Sequence, residues 1–292
     1  MTNVPNSVTV PLDEVIAAAR ELGRGSRPDR ALSLLDAAAA SASSPRDRAL
    51  LALAAAEIAL EGGYSRDTGQ ATARVRAAEQ AFAAADHDPG SRWDLDFLLL
   101  RRDYHDQILG SGTFQPGPDG KDPGVLAGIR RRGGELSTAA PDEGRRGWAE
   151  FYLGVIADNL FAERDVAPAH YLAALRVGDA GDDLLAREAL RHLGDHDHDN
   201  GDHEQALDRW RRATALGARA GAVTGTLSQQ LLLAALARDT GDEAGATALA
   251  REITRWAGAI GATRIEAQAA AFLAGADPTR LPEEQVSARP GT

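Results

Sequence analysis

The residues best able to do chemistry lie in one run: His192, Asp195, His196, Asp197, His198, Asp199, Asp202, His203 and Glu204. Imidazole nitrogens and carboxylate oxygens are donors that hold Zn, Ni or Fe. His192 and His196 stand four residues apart, which on a helix places both rings on one face, within reach of one ion. His198 and His203 follow across a turn. One reading is therefore a metal-binding protein or metal-dependent enzyme centred on His192, His196 and His198, with Asp158 or Asp195 nearby. The other is a solvated polar helix end rich in His and Asp. No HExxH, no CxxC and no second histidine cluster supports the metal. The chain has no cysteine, which removes disulfides, thiolate metal sites and a cysteine nucleophile. Gly110, Gly112 and Gly117 are not followed by Lys-Ser/Thr, so they make no phosphate loop. There is no nucleophile elbow, and acids spaced like Asp195 and Asp199 do not form a catalytic pair unaided. No cofactor and no enzymatic activity are expected.

The elements that must position these residues repeat along the chain. Alanines at 31, 71, 127, 167, 206 and 246 are separated by 40, 56, 40, 39 and 40 residues, and the long step contains a Gly/Pro-rich insert at 110–124. A fixed period of this length marks stacked supersecondary units. Most of the alanines are followed by a bulky residue at +4 and a small or aliphatic one at +7: Leu35/Ala38, Val75/Ala78, Tyr171/Ala174 and Trp210/Ala213. These offsets lie on one helix face, where small residues admit a neighbouring helix and the large one fills the space between. A small residue often stands twelve positions earlier, as at Ala19, Ala59, Gly194 and Ala234, with Gly154 thirteen before Ala167. Gly201-Asp202 and Gly241-Asp242 end one helix and cap the next.

Leu193-Gly194, Gly201-Asp202, Ala206, Trp210 and Ala213 together resemble the tetratricopeptide repeat, and Leu233-Ala234, Gly241-Asp242 and Ala246 are similar to it. The period is 40, against about 34 in that family, so each hairpin is longer. In this the chain resembles the long-repeat sensor domains of bacterial transcriptional regulators. The resemblance implies an all-α, right-handed α-solenoid of about six antiparallel helical hairpins plus a C-terminal capping helix. It also implies a concave face lined by the first helix of each pair. It implies protein or peptide binding and no activity.

On that alignment the inward positions are Trp148, Phe151, Asp158 and Asn159 on one helix and Glu188, Arg191, Asp195, His198 and Asp199 on the next first helix. An aromatic anchor with a column of acids suits a protein or peptide segment carrying apolar and basic groups. Trp93, Phe97, Asp103 and Tyr104 repeat this opening earlier in the chain, while Trp210 and Trp256 read as core. The insert at 110–124 cannot be helical, and Phe114 is its one large apolar side chain, a candidate to tuck beneath a lid. Arg130-Arg131-Arg132 and Arg145-Arg146 read as solvated helix ends.

A hydrophobic share of 43% with only 5% aromatic builds the core from Ala and Leu. A net charge of −11 argues against a nucleic-acid surface. No apolar stretch reaches the length of a membrane span, and the first residues show no signal peptide. The sequence thus reads as a cytoplasmic protein. It has a flexible N-terminus at 1–9, a single repeat domain at 10–276, a flexible tail at 277–292 and a capacity to form homo-oligomers.

Overall fold

Ala and Leu dominate the apolar residues, and both favour helix over strand. The computed structural model describes residues 10–63, 68–109 and 114–279. The expected N-terminal segment 1–9, residues 110–113 of the insert and residues 280–292 of the tail lie outside the described residues. Thirteen helices and no strand are found among the described residues. They are α1 (Leu12–Arg24), α2 (Pro28–Ser41), α3 (Pro45–Gly63), α4 (Thr68–Ala83), α5 (Pro89–Ile108), α6 (Pro123–Thr138) and α7 (Glu143–Phe161), followed by α8 (Ala167–Gly178), α9 (Asp183–Asp199), α10 (His203–Arg219), α11 (Val223–Asp239), α12 (Glu243–Ile260) and α13 (Thr263–Leu273). No helix among the described residues is long and apolar enough to cross a membrane.

The chain forms two compact units, residues 1–95 and 96–292. In the first, α1 packs on α2 and α3, and α3 packs on α4. Its core includes Ala19, Ala31, Leu35, Leu51, Ala55 and Ile58. In the second, each helix from α6 to α13 packs on the next, and α7 also touches α9, as α11 touches α13. This is the contact pattern of stacked helical hairpins.

The joints follow the expected capping chemistry. Asp122, Asp142, Asp182, Asp202 and Asp242 each accept backbone N–H groups at the start of a helix. Gly201 and Gly241, at φ 81° and 93°, make the left-handed turns before two of these caps.

Packing between hairpin partners depends on glycine. Tyr171 and Trp210, on second helices α8 and α10, are fully buried. Their rings lie against Gly154 of α7 and Gly194 of α9, so closely that a methyl group at either glycine would sit 2.5 Å from the ring.

Two expectations about the core are corrected. Ala127 is exposed, whereas Leu126, Ile129, Gly133 and Leu136 of α6 are buried. The spacing 129/133/136 repeats the +4/+7 pattern two residues later, because the insert changes where the helix begins. Trp256 is 52% exposed, since α12 turns Ala250, Ile253 and Ala257 into the core instead.

A Gly194→Ala substitution should therefore overpack the α9–α10 joint and cost about 1–3 kcal/mol. Gly128→Ala, where an added methyl meets nothing within 4 Å, should leave stability equal or raised by up to about 1 kcal/mol through helix propensity. Urea unfolding of both variants checks the pair. An unchanged midpoint for Gly194→Ala would contradict the packing account.

Candidate functional site

The site is assembled on one face of the second unit by α7 and α9, with the C-terminal half of α5 beside them. Asp142 caps α7 by accepting from the Arg145 N–H at 2.8 Å. Trp148 follows on the next turn, half-buried, its indole Nε1 donating to Asp182 Oδ2 at 2.8 Å. The other oxygen of Asp182 accepts from the backbone N–H groups of Leu184 and Leu185, at 3.1 and 3.0 Å. One carboxylate thus caps α9 and fixes the indole of α7.

Aromatic rings continue from this point by edge-to-face contacts, the arrangement favoured by ring quadrupoles. Phe151 meets Trp148 at 5.9 Å, Tyr152 meets Phe151 at 5.6 Å, and Phe97 and Tyr104 meet Tyr152 at 5.1 and 5.7 Å. Phe151 and Tyr152 are buried and form a floor, whereas Trp148 retains exposure.

Polar groups gather at the C-terminal end of α7. Asp158 Oδ2 stands 3.0 Å from His196 Nε2 and accepts from the Tyr171 hydroxyl at 3.2 Å. Arg164 lies 3.5 Å from Asp158 and 2.6 Å from Asp199. Asn159 donates from Nδ2 to the Tyr104 hydroxyl at 2.7 Å. Burial holds both tyrosines above the ordinary phenol range, so their hydroxyls stay protonated.

On α9, His192 stacks on Tyr171 at 5.0 Å with an interplanar angle of 15°. Burial first, and then the Arg191 charge, holds it well below the ordinary imidazole range. It is therefore a neutral ring whose Nε2 accepts from Arg191 at 3.2 Å. The nearest carboxylate to Arg191 is Asp195, at 3.8 Å. Burial pushes the Asp195 carboxyl above its usual range, and the Trp210 indole donates to it at 3.2 Å. Glu188 pairs with Arg187, whose side chain is only 7% exposed. Arg187 also donates to the Gly225 carbonyl at 3.0 Å, tying α9 to α11, and burial lowers its guanidinium to about 10.

Among the described residues, no group of three or more His, Asp or Glu is arranged to hold a metal. The proposed set His192, His196 and His198 does not converge. His192 lies on Tyr171 and His196 on Asp158, both towards α7 and α8. His198 lies half a helix turn away, 2.9 Å from Asp239 of α11 and stacked on Trp210. Each imidazole already has a partner within the chain.

Trp148 and Phe151 lie on α7 and Glu188, Arg191 and Asp195 on α9; Trp148 meets Phe151 at 5.9 Å, and Arg191 meets Asp195 at 3.8 Å. Asp158, Asn159, His198 and Asp199 lie in the polar cluster, held by hydrogen bonds and ion pairs of the chain itself. Sequence reasoning missed Arg164, Tyr171, Asp182 and Asp239. A signal existed for Asp182, because Gly181-Asp182 repeats the Gly-Asp turn. None existed for Arg164 or Asp239, whose roles depend on neighbours far along the chain.

The carboxylates of Asp199 and Asp239 push His198 up to about 9 from its ordinary 6.5. A proton bound more tightly in the folded state stabilises fully below pH 6.5, and that contribution disappears as pH rises through about 9. Wild type should therefore exceed His198→Gln in stability at pH 6, with the difference closing above about pH 9. Urea titrations across this window check it. A difference independent of pH would contradict the assignment.

No protein-family model matches the sequence, and no curated protein matches it. Solved structures do. A Rap protein, crystallised in complex with Competence and Sporulation Factor, superposes with a TM-score of 0.54 at 11% identity, over 92% of this chain and 76% of that one. BtubC from P. vanneervenii superposes with a TM-score of 0.48 at 16% identity, over 87% of this chain and 93% of that one. At 11% identity the likeness to the Rap protein is one of fold alone, a tetratricopeptide-like stack of helical hairpins.

Proposed function

We propose that the chain is a non-catalytic binding module, an adaptor or regulatory protein that takes a protein or peptide segment in a groove along α7 and α9. The observation that carries this reading is the Trp148 indole. It is half-buried beside the buried Phe151 ring and held at 2.8 Å by the carboxylate that caps α9. An anchor fixed before binding avoids the entropy of ordering a free side chain, which is where preformed sites gain affinity.

Arg191 and Asp195 lie further along α9, 3.8 Å from each other, with Glu188 one turn before Arg191. These groups would read charge on a segment whose apolar side chain rests on Trp148. Asp158 and Asp199 are neutralised within the chain, so the acidic column offers less to a basic ligand than its composition suggests. Glu188 is likewise paired, with Arg187, so Asp195 is the acid left for that role. The Rap protein, which shares the fold, was crystallised with a bound factor, and this supports the binding reading.

Capture from native lysate by wild type, beside a Trp148→Ala/Arg191→Glu double variant shown to be folded, identifies the partner. Titration of the captured segment then gives its affinity. Loss of one anchor and reversal of one charge should weaken binding at least about tenfold, hot-spot residues commonly carrying 1–2 kcal/mol or more each. Equal affinity for both proteins would contradict the groove.

A further inference from the structure

Residues 114–122 of the insert form a strap with its own fastening. The Gln115 N–H donates to the Ile108 carbonyl at 2.8 Å, at the end of α5, and the Gly117 N–H donates to the Asn159 carbonyl at 2.7 Å, near the end of α7. Gly117 and Gly120 turn the strap at φ 84° and 74°. Phe114 is 39% exposed, so it is not the fastening. The fastening is Lys121, whose ammonium donates to the carbonyls of Gln115 at 2.8 Å and Gly117 at 2.5 Å.

Lys121 is the single lysine among 32 basic residues. The geometry accounts for the choice. A compact ammonium presents three tetrahedral donors to carbonyls converging from one side, whereas a guanidinium is a flat, wider fork. One amine therefore closes the strap, and the closed strap places the Gly117 N–H on α7. Asn159, which receives it, also holds the Tyr104 hydroxyl at 2.7 Å. The strap is thereby joined to the polar cluster beside the candidate site.

We propose that Lys121 is an acyl-modification site and that acylation of its Nζ releases the strap from α7. The co-reactant is a small acyl phosphate. Nζ loses a proton and attacks the acyl carbon, an N–C bond forms, the bond from that carbon to the phosphate oxygen breaks, and phosphate leaves with the electron pair. The product is an uncharged amide with one N–H in place of three, so it cannot bridge both carbonyls. Partial burial lowers the Lys121 pKa, with Asp119 opposing, and this increases the fraction of neutral amine able to react. Acylation removes the charge on which the closure depends.

The test treats the full chain with acetyl phosphate, maps the product by peptide mass spectrometry, and follows amide hydrogen exchange across 115–122. The expected result is acetylation at Lys121, with strap amides exchanging at least about tenfold faster, the protection conferred by roughly one hydrogen bond. Lys121→Gln, which removes the charge without the reaction, should raise exchange equally while the helices keep their protection. Two results would overturn the proposal. One is Lys121 left unmodified while a lysine-containing peptide in the same tube is acetylated. The other is unchanged strap exchange in both the acetylated protein and Lys121→Gln.

Discussion

An aromatic ring passing through the gap left by a glycine is the contact on which the second unit depends. Tyr171 fills the space over Gly154, and Trp210 the space over Gly194. In an interior built mostly from alanine and leucine, these two rings are the largest fully buried side chains. Because protein interiors pack at crystal density, each ring fixes how closely its hairpin partners approach. The polar ends of the same rings extend the constraint. The Tyr171 hydroxyl reaches Asp158, and the Trp210 indole reaches both the Arg191 carbonyl and the Asp195 carboxylate. The residues that space the helices therefore also set the position of the candidate site.

Electrostatics in this region is largely internal. The chain carries a net charge of −11, yet the acids on α7 and α9 are met by Arg164, Arg187, His196 and His198. Buried carboxylates without such partners would be costly, and where the pairing crosses helices it also ties elements together. The histidine run has this structural role. His196 ties α9 to α7, and His198 ties α9 to α11. The donor types that suggested a metal are present, but they point to different neighbours.

Much of the fold was legible because its contacts are encoded at fixed offsets. Small residues on first helices, bulky residues four places into second helices and Gly-Asp turns gave the hairpin stack and most of its core. The reading failed where a local change overrode the period. The insert shifted the buried face of α6 by two residues, which misplaced Ala127. The orientation of α12 left Trp256 in solvent. For the candidate site, the repeat placed Trp148 and Phe151 on one first helix and Glu188, Arg191 and Asp195 on the next, where α7 and α9 carry them. The state of charge did not follow from it, because it depends on partners such as Asp182, Arg164 and Asp239, brought near only by the stacking of hairpins. Lys121 was visible as the only lysine, but its carbonyl partners were not.

The central claim is that the α7–α9 face, rather than the outward surface of the second helices, receives a partner. The most direct measurement is site-specific photo-cross-linking. A photoreactive phenylalanine analogue would be placed at position 188 on α9 or, as a control, at position 212 on α10, and the protein irradiated in native lysate. The account predicts a discrete adduct from position 188, mapped to one segment of one partner, and none of comparable yield from position 212. The same adducts from both positions, or a discrete adduct from position 212 alone, would contradict it.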